Sequence, residues 1–292
     1  MNETLAIIVA TLAAGTPLVY AALGELIVEK AGVLNLGVEG MMLVGAVAGF
    51  IAATVTGNLW LGVLAAIFAG MAMAWIFGLL TLTMMANQVA SGLALTIFGV
   101  GLSAYLGLDY KSKTLTGLPP ILFALDPLFY LSLALFIAVT GFLYRTRAGL
   151  LLRAVGESPE SAHALGYSVI RIHYLAVLFG GAMAGLGGAY LALVYTPLWV
   201  EGMTAGRGWI ALALVVFATW RPARVMFGAY LFGFITLLQF HLQGKGVEFP
   251  SQLLATLPYL ATIVVLVLIS RDINKIRLNA PAALGKTYHP AL

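Results

Sequence analysis

Two apolar runs of this chain are separated by Glu29-Lys-Ala-Gly-Val-Leu-Asn-Leu-Gly-Val-Glu-Gly-Met-Met42. The charged residues and glycines of this segment determine how the chain folds. These runs, Thr4–Leu23 and Val38–Val55, are each close to the ~20 apolar residues that a membrane span needs. Irregular backbone at membrane depth is tolerated only within protein or against a water-filled cavity. Residues 31–40 are therefore predicted to form a discontinuous segment that lines a pathway, and the alternative is a cytoplasmic loop with solvated charges.

The composition places the whole chain in a membrane. Of the 292 residues, 62% are hydrophobic and 9% charged, whereas soluble globular domains have about 45–50% and about 25%. The absence of cysteine excludes disulfides, cysteine-based metal sites and a thiol nucleophile. The net charge of +4 does not indicate a nucleic acid polymer as a partner, because the basic residues are not clustered on a soluble face. They are interpreted as signals of membrane orientation.

The apolar runs predict an all-α fold, a polytopic transmembrane helical bundle of about nine spans that forms one domain over residues 1–292. The predicted spans are Thr4–Leu23, Val38–Val55, Leu59–Met84, Val89–Leu106, Pro127–Tyr144, Ile172–Tyr195, Trp209–Trp220, Val225–Leu242 and Leu253–Ser270. The seventh is short, and its helix is expected to extend back toward Gly202. The expected location is the cell (inner) membrane.

Arginine-rich segments between the spans predict the orientation. They are the loop at about 145–171, the turn that holds Arg221 and Arg224, and the tail at 271–292. Two predicted spans separate each segment from the next, so all three fall on the same side, which the positive-inside rule makes cytoplasmic. The N-terminus is then outside and the C-terminus cytoplasmic. Arg207 would lie outside, as an exception to the rule.

A second polar cluster, formed by Asn87, Gln88, Ser91 and Thr96, lies where the fourth span is predicted to begin. Asn87 and Ser91 are four residues apart and therefore share one helix face. Uncharged amides and hydroxyls suit a neutral polyhydroxylated solute better than an ion. Membrane bundles also use such groups for hydrogen bonds between helices, and both interpretations stay open.

Two glycine pairs, Gly45–x3–Gly49 and Gly181–x3–Gly185, place small residues on one face of a helix. This spacing predicts close approach between neighbouring helices. One pair of similar segments is too weak a signal to establish an internal repeat.

The loop at about 145–171 contains a short, well-delimited helix. Ser158 is a favourable N-cap, Pro159 suits the first helical position, and Gly166 can adopt the left-handed conformation that ends a helix. The predicted helix, Pro159–Leu165, is too short to be stable alone and so needs a partner surface. The loop's own sequence fits two interpretations: a short helix that inserts into a groove on a soluble, energy-supplying partner, or an ordinary amphipathic helix.

Several segments resemble the branched-chain amino acid/ribose permease family of ABC importers. Glu160-Ser-Ala-His-Ala-Leu-Gly166 is similar to that family's Glu-Ala-Ala-x3-Gly coupling loop, with Ser161 in place of the first alanine. Two further stretches that resemble the family are Gly149–Glu160 and Gly180–Tyr190. Three stretches resemble its nucleoside and simple-sugar branch: Glu29–Met42, Asn87–Thr96 and Pro281–Tyr288. The chain as a whole resembles the shorter permease of a pair.

The resemblance implies a permease that carries nucleosides or related sugar-like solutes. It also implies a second permease subunit, cytoplasmic ATP-binding subunits and an extracytoplasmic substrate-binding lipoprotein as partners, besides membrane lipid. ATP would bind to a partner, so no cofactor or metal is expected on this chain. By this resemblance, the substrate pathway includes Asn35, Glu39, Asn87, Gln88 and Ser91. The residues implied in coupling to the ATPase are Glu157, Pro159, Glu160, Ala162, Ala164 and Gly166.

The chain itself is not expected to be an enzyme. Its Gly285-Lys-Thr287 has Ala280 where a P-loop needs its first glycine, and no strand is predicted before it. Two alternatives remain: an ABC permease for simple sugars or branched-chain amino acids, and an ion-coupled secondary transporter. The second usually needs carboxylates within spans, which this sequence has mainly between Glu25 and Glu39.

Overall fold

The computed structural model describes residues 3–244 and 279–289, together with positions 256, 257, 260 and 264. The regular elements of this part are all helices, as the apolar runs predict. They are α1 (Glu3–Lys30), α2 (Val38–Thr56), α3 (Leu59–Gly78), α4 (Gln88–Leu106), α5 (Pro127–Arg145), α6 (Arg147–Glu157), α7 (Pro159–Ala164), α8 (Val169–Tyr190), α9 (Arg207–Phe217) and α10 (Pro222–Gly244). Single π-turns, Leu79–Thr83 and Leu191–Tyr195, extend α3 and α8, and a short 3-10 turn, Leu108–Tyr110, follows α4.

Within the described residues, seven helices are long and apolar enough to cross a membrane. They correspond to the first six predicted spans and to the eighth, and they confirm a polytopic helical bundle. Most of the ninth predicted span, Leu253–Ser270, lies outside the described residues, which include only positions 256, 257, 260 and 264 of it, and residues 271–278 of the tail also lie outside them. The count of nine spans therefore stays a prediction.

The first helix is longer than its apolar run indicates. α1 continues past Leu23 to Lys30, although Glu25 and Glu29 lie in its last turns. Both glutamates are 1% exposed, and each carboxylate accepts a hydrogen bond from another part of the chain. The helix can therefore continue through them, because these charged side chains have partners inside the protein.

Glycines bring the backbones of α2, α3 and α8 into contact at the centre of the bundle. A Cβ atom added to Gly185 would lie 2.2 Å from the carbonyl oxygen of Ala66, and one added to Gly45 would lie 2.6 Å from the Cα of Gly185. A Cβ atom on Gly181 would lie 2.5 Å from the carbonyl oxygen of Gly70. The close helix packing predicted from the Gly-x3-Gly spacings is thus confirmed.

The seventh predicted span, Trp209–Trp220, is a half-length helix and does not extend back to Gly202. α9 begins at Arg207, and its 11 residues cover about 16 Å, roughly half of a ~30 Å hydrocarbon core. Turns precede it, and Gly206 adopts φ +81 at its start.

The arginine-bearing segments converge at one end of the bundle, around the C-terminal end of α1. Trp220, in the turn before α10, donates to Glu29. Lys30 donates to the carbonyl oxygen of Asn279 in the tail, and Gly156 of the long loop lies against the backbone of Lys30. This convergence agrees with the predicted common side of the three segments, and the assignment of that side to the cytoplasm stays a prediction.

Candidate transport pathway and coupling site

The segment between α1 and α2, residues 31–37, is a buried connector and not a solvated loop. Gly32 turns the chain with φ +93, and Val33 and Asn35 are completely buried. The backbone N–H of Asn35 donates to the carboxylate of Glu25 at 3.2 Å, so the connector returns alongside the last turns of α1. The break in helical structure predicted for this stretch is present, and α2 begins inside the bundle.

Asn35 shapes the turn that leads into α2. Its Oδ1 accepts a hydrogen bond from the backbone N–H of Gly37 at 2.9 Å, which is the local pattern of an Asx turn. Its Nδ2 lies 3.5 Å from the sulfur of Met41. The polar side chain therefore fixes the backbone of the connector at the point where α2 starts.

Glu39, in the first turn of α2, caps the N-terminus of a different helix. Its Oε1 accepts hydrogen bonds from the hydroxyl of Thr204 at 2.6 Å and from the backbone N–H of Gly206 at 2.8 Å. Its Oε2 accepts from the backbone N–H of Gly208 at 2.6 Å. The carboxylate thus satisfies backbone donors that α9 leaves free at its N-terminus and lies at the positive end of the helix dipole.

The N-terminal ends of α2 and α9 meet directly at this carboxylate. A Cβ atom on Gly208 would lie 2.5 Å from the Cα of Glu39, so only glycine allows this approach. In transporters with broken helices, such positive ends commonly face anionic groups of the substrate. Here the carboxylate of Glu39 occupies that position.

Two further carboxylates lie near the connector, on α1. The indole Nε1 of Trp220 donates to Glu29 Oε2 at 2.5 Å. Glu25 Oε1 accepts from the connector, and its Oε2 has no hydrogen-bond partner among the described residues. These contacts link the end of α1 to the connector and to the turn before α10.

The start of α4 is joined to the connector by side-chain hydrogen bonds. Gln88 Oε1 accepts from the backbone N–H of Leu34 at 2.8 Å, and the hydroxyl of Thr96 donates to the carbonyl oxygen of Leu36 at 2.9 Å. Between them, Gly92 allows close approach, since a Cβ atom there would lie 2.8 Å from the nitrogen of Leu36. The polar groups of α4 therefore hold the irregular backbone of the connector.

The other two members of the second polar cluster lie in different surroundings. Ser91 is buried one turn after Gln88. Asn87 is exposed and acts as the N-cap of α4, with its Oδ1 accepting from the backbone N–H of Ala90 at 3.0 Å. Asn35 and Gln88 therefore lie together at the connector, whereas Asn87 lies apart from it at the N-terminus of α4.

The short helix predicted in the loop at about 145–171 is confirmed. α7 spans Pro159–Ala164, one residue shorter than predicted, and the hydroxyl of its N-cap Ser158 accepts from the backbone N–H of Ser161 at 3.3 Å. Gly166 has φ +87 and follows the end of the helix. The capping pattern in the sequence therefore identified both ends.

The residues implied in coupling divide into a buried and an exposed set. Pro159 and Ala162 are buried, and Ala162 forms a small apolar cluster with Val155 and Val169. The residues that face outward are Glu157, Glu160, Ala164 and Gly166. Leu165 is 78% exposed beside them, so α7 rests on the protein by one side and presents the other.

The sequence did not reveal α6, Arg147–Glu157, which joins α5 to α7. Its N-cap, Thr146, accepts a hydrogen bond from the backbone N–H of Gly149 at 3.0 Å, and this Thr-x2-Gly spacing was the available signal. Two partners of buried carboxylates, Thr204 and Trp220, were also missed. No local pattern marks them, because each lies more than 160 residues from the glutamate that it contacts.

In the described part of the chain, no group of three or more histidine, aspartate or glutamate side chains is arranged to hold a metal ion. The site is therefore characterised by hydrogen bonds between buried polar groups and irregular backbone.

Known proteins that resemble this chain are transport permeases. A putative glucose ABC transporter permease protein of Haloferax volcanii is 43% identical, over 96% of each chain. A nucleoside ABC transporter permease protein of Lactococcus lactis is 30% identical, over 91% of this chain and 93% of the relative. A guanosine ABC transporter permease protein of Bacillus subtilis is 31% identical, over 98% and 97%.

A family model agrees with these relatives and covers most of the sequence. The model described as branched-chain amino acid transport system / permease component matches residues 7–269. By this match and by its similarity to these permeases, this chain belongs to the branched-chain amino acid transport system permease family.

Proposed function

We propose that this chain is the membrane-spanning permease subunit of an ABC importer for sugars, nucleosides or related sugar-like solutes. Its similarity to permeases named for glucose, nucleosides and guanosine extends over nearly its whole length and supports this function. The apolar helices long enough to span a bilayer support its location in the cell membrane. An ion-coupled mechanism has less support, since these relatives are named as ABC transporter permeases.

One observation carries the proposal. The loop at about 145–171, which we call the coupling loop, lies directly against the broken α1–α2 junction. A Cβ atom on Gly156, in the last turn of α6, would lie 2.2 Å from the carbonyl oxygen of Lys30. Only Ser158 separates the end of α6 from the start of α7, and one side of α7 is exposed. A soluble subunit that moves α7 would therefore also move the irregular backbone between the two spans α1 and α2.

The polar residues of the site fit a neutral solute. Within this proposal Asn35 and Glu39 gate the pathway, and Asn87, Gln88 and Ser91 contribute to passage of the solute. The amide of Asn87 and the hydroxyl of Ser91 match the hydrogen-bonding groups of a sugar or ribose ring, whereas the amide of Gln88 is hydrogen-bonded to Leu34 and Lys286 and contributes by holding the connector. The positive N-terminus of α9 is already neutralised by Glu39, which disfavours an anionic substrate.

The energy source is assigned to partners. ATP would be bound and hydrolysed by cytoplasmic ATP-binding subunits that contact the exposed set on α7 and its flanks. A second permease subunit would complete the pathway, and a substrate-binding lipoprotein would deliver the solute from outside.

An Ala162→Asp variant tests the coupling role. Ala162 is 4% exposed in an apolar cluster beneath α7, so a buried carboxylate should displace the helix and leave the distant spans in place. In vesicles that contain the whole importer, we expect ATP-dependent uptake of labelled glucose or guanosine to be lost. The variant should still assemble with the second permease.

A Lys113→Asp variant provides the matched control. Lys113 is exposed in the loop after α4, away from the coupling loop, and its replacement also introduces a carboxylate. Uptake should stay at the level of the unmodified importer. Normal uptake by the Ala162→Asp variant would show that α7 is not the coupling element.

A further inference from the structure

The C-terminal residues 279–289 lie where the coupling loop and the connector meet. We call this segment the C-terminal strap. It contains turns and irregular backbone, yet Pro281 and Ala283 are buried. Ala280 and Leu284 pack against the main apolar core. The strap is therefore an integral part of this end of the bundle.

The strap is hydrogen-bonded to the end of α6. The backbone N–H of Ala283 donates to the carbonyl oxygen of Gly156 at 2.9 Å. The backbone N–H of Ala282 donates to the carboxylate of Glu157 at 3.4 Å. The last carbonyl groups of a helix lack hydrogen-bond donors within the helix, and the strap supplies a donor to one of these groups in α6.

The strap also contacts the underside of α7 through Tyr288. The ring centroid of Tyr288 lies 6.3 Å from that of His163 on α7 and 6.5 Å from that of His173 on α8. The same ring packs against the small apolar cluster that contains Ala162. Displacement of α7 would thus move Tyr288 or break its contacts.

Three residues before Tyr288, the strap contacts the connector. The backbone N–H of Gly285 donates to the carbonyl oxygen of Gly32 at 3.2 Å. Gln88 Nε2 donates to the carbonyl oxygen of Lys286 at 3.2 Å, while its Oε1 accepts from Leu34 in the connector at 2.8 Å. One amide side chain therefore joins the strap, the connector and α4.

We propose that the C-terminal strap transmits movement of the coupling helix α7 to the connector between α1 and α2. This inference rests on the proposed function, because it presumes that a motor acts on α7. The path is short: it runs from Tyr288 along the backbone of Thr287 and Lys286 to Gly285, whose N–H donates to the carbonyl oxygen of Gly32. Tyr288 acts as a positioning residue, without a role in contacting the solute.

The test uses the complete importer in vesicles, with its second permease, ATP-binding subunits and binding lipoprotein. Labelled glucose and guanosine are the probes, and ATP hydrolysis is measured in the same samples. We expect Tyr288→Ala to lower the solute taken up per ATP hydrolysed by at least about fivefold, the lower end of usual coupling effects. Hydrolysis itself should continue.

Two variants serve as controls. Tyr288→Phe keeps the ring and should retain the unmodified ratio of uptake to hydrolysis. Lys286→Ala removes an exposed side chain but keeps the carbonyl group that Gln88 contacts, and it should behave in the same way. An unmodified ratio in Tyr288→Ala would overturn the role of the strap and leave the proposed function intact. Absence of ATP-driven uptake by the unmodified importer would overturn the proposed function itself.

A disulfide provides a second measurement that does not depend on the folding of Tyr288→Ala. A Cβ atom on Gly285 would lie 3.8 Å from the Cβ of Leu34, which is within disulfide range, but Gly285 has φ +73, which strains any other residue. Transport by the reduced double-cysteine protein, compared with that of the unmodified importer, measures this strain separately, and the chain has no other cysteine. If strap and connector move together, a Leu34→Cys, Gly285→Cys protein should transport equally when oxidised and when reduced. Loss of transport on oxidation, reversed by reduction, would show that the strap must leave the connector.

Discussion

At the scale of single residues, Glu39 performs for α9 the task that an N-cap side chain usually performs for its own helix. Its two oxygens accept from Thr204, Gly206 and Gly208, and the side chain is 6% exposed. Removal of the carboxylate would leave buried backbone donors without partners. Such groups are costly because water cannot replace the lost acceptor.

We therefore expect Glu39→Ala to destabilise the folded protein by about 1–3 kcal/mol, the usual range for leaving buried donors unsatisfied. Thr204→Val removes one of the three donors and should have a smaller effect. Thermal unfolding of the purified protein in detergent measures both. Equal stability of Glu39→Ala and the unmodified protein would show that the cap contributes nothing to the fold.

The sequence was informative about such residues only in part. Asn35 and Glu39 were recognisable because polar groups within apolar runs are rare in membrane proteins. The partner of Glu39 was not, since Thr204 comes from a distant part of the chain and carries no motif, and the same is true of Trp220, which donates to Glu29. The roles of individual residues thus depend on long-range packing that a single sequence does not encode in a readable pattern.

At the scale of helices, close contact between α2, α3 and α8 depends on glycine. A Gly185→Ala substitution would place a methyl group 2.2 Å from the carbonyl oxygen of Ala66, and the helices would have to separate. We expect a loss of about 1–3 kcal/mol, typical of overpacking, or more because the obstacle is backbone. The measurement is the melting temperature of the purified protein.

Gly141 on α5 is the matched control, because a Cβ atom there meets nothing within 4 Å. Gly141→Ala should be neutral or slightly stabilising, since alanine favours a helix by about 1 kcal/mol over glycine. Equal destabilisation by both substitutions would argue against a special contact at Gly185.

Local capping residues predicted the ends of some helices but not of others. α7 was predicted from its caps, because Ser158, Pro159 and Gly166 each act within the helix or beside it. α9 was predicted too long, because its N-terminus is determined by turns and by the carboxylate of Glu39 on another helix. Local capping is readable from sequence, whereas a helix that starts on a tertiary contact is not.

At the scale of the whole molecule, the orientation in the membrane is open to direct measurement. The chain lacks cysteine, so single cysteines can be introduced at Leu165 in the coupling loop and at Lys113 in the loop after α4, both exposed. With a membrane-impermeant maleimide on intact cells that express the permease alone, we expect Lys113→Cys to react at once. Leu165→Cys should react only after permeabilisation, and the reverse pattern would place the coupling loop outside.

We propose that this bundle has no energy source of its own and is driven from its cytoplasmic end. The most direct measurement compares uptake of labelled glucose and guanosine by vesicles with the chain alone and by vesicles with the complete importer. We predict accumulation against a gradient only in the complete importer, and only when ATP is supplied on the side of the ATP-binding subunits. Accumulation by the chain alone, driven by a proton or sodium gradient, would contradict the account.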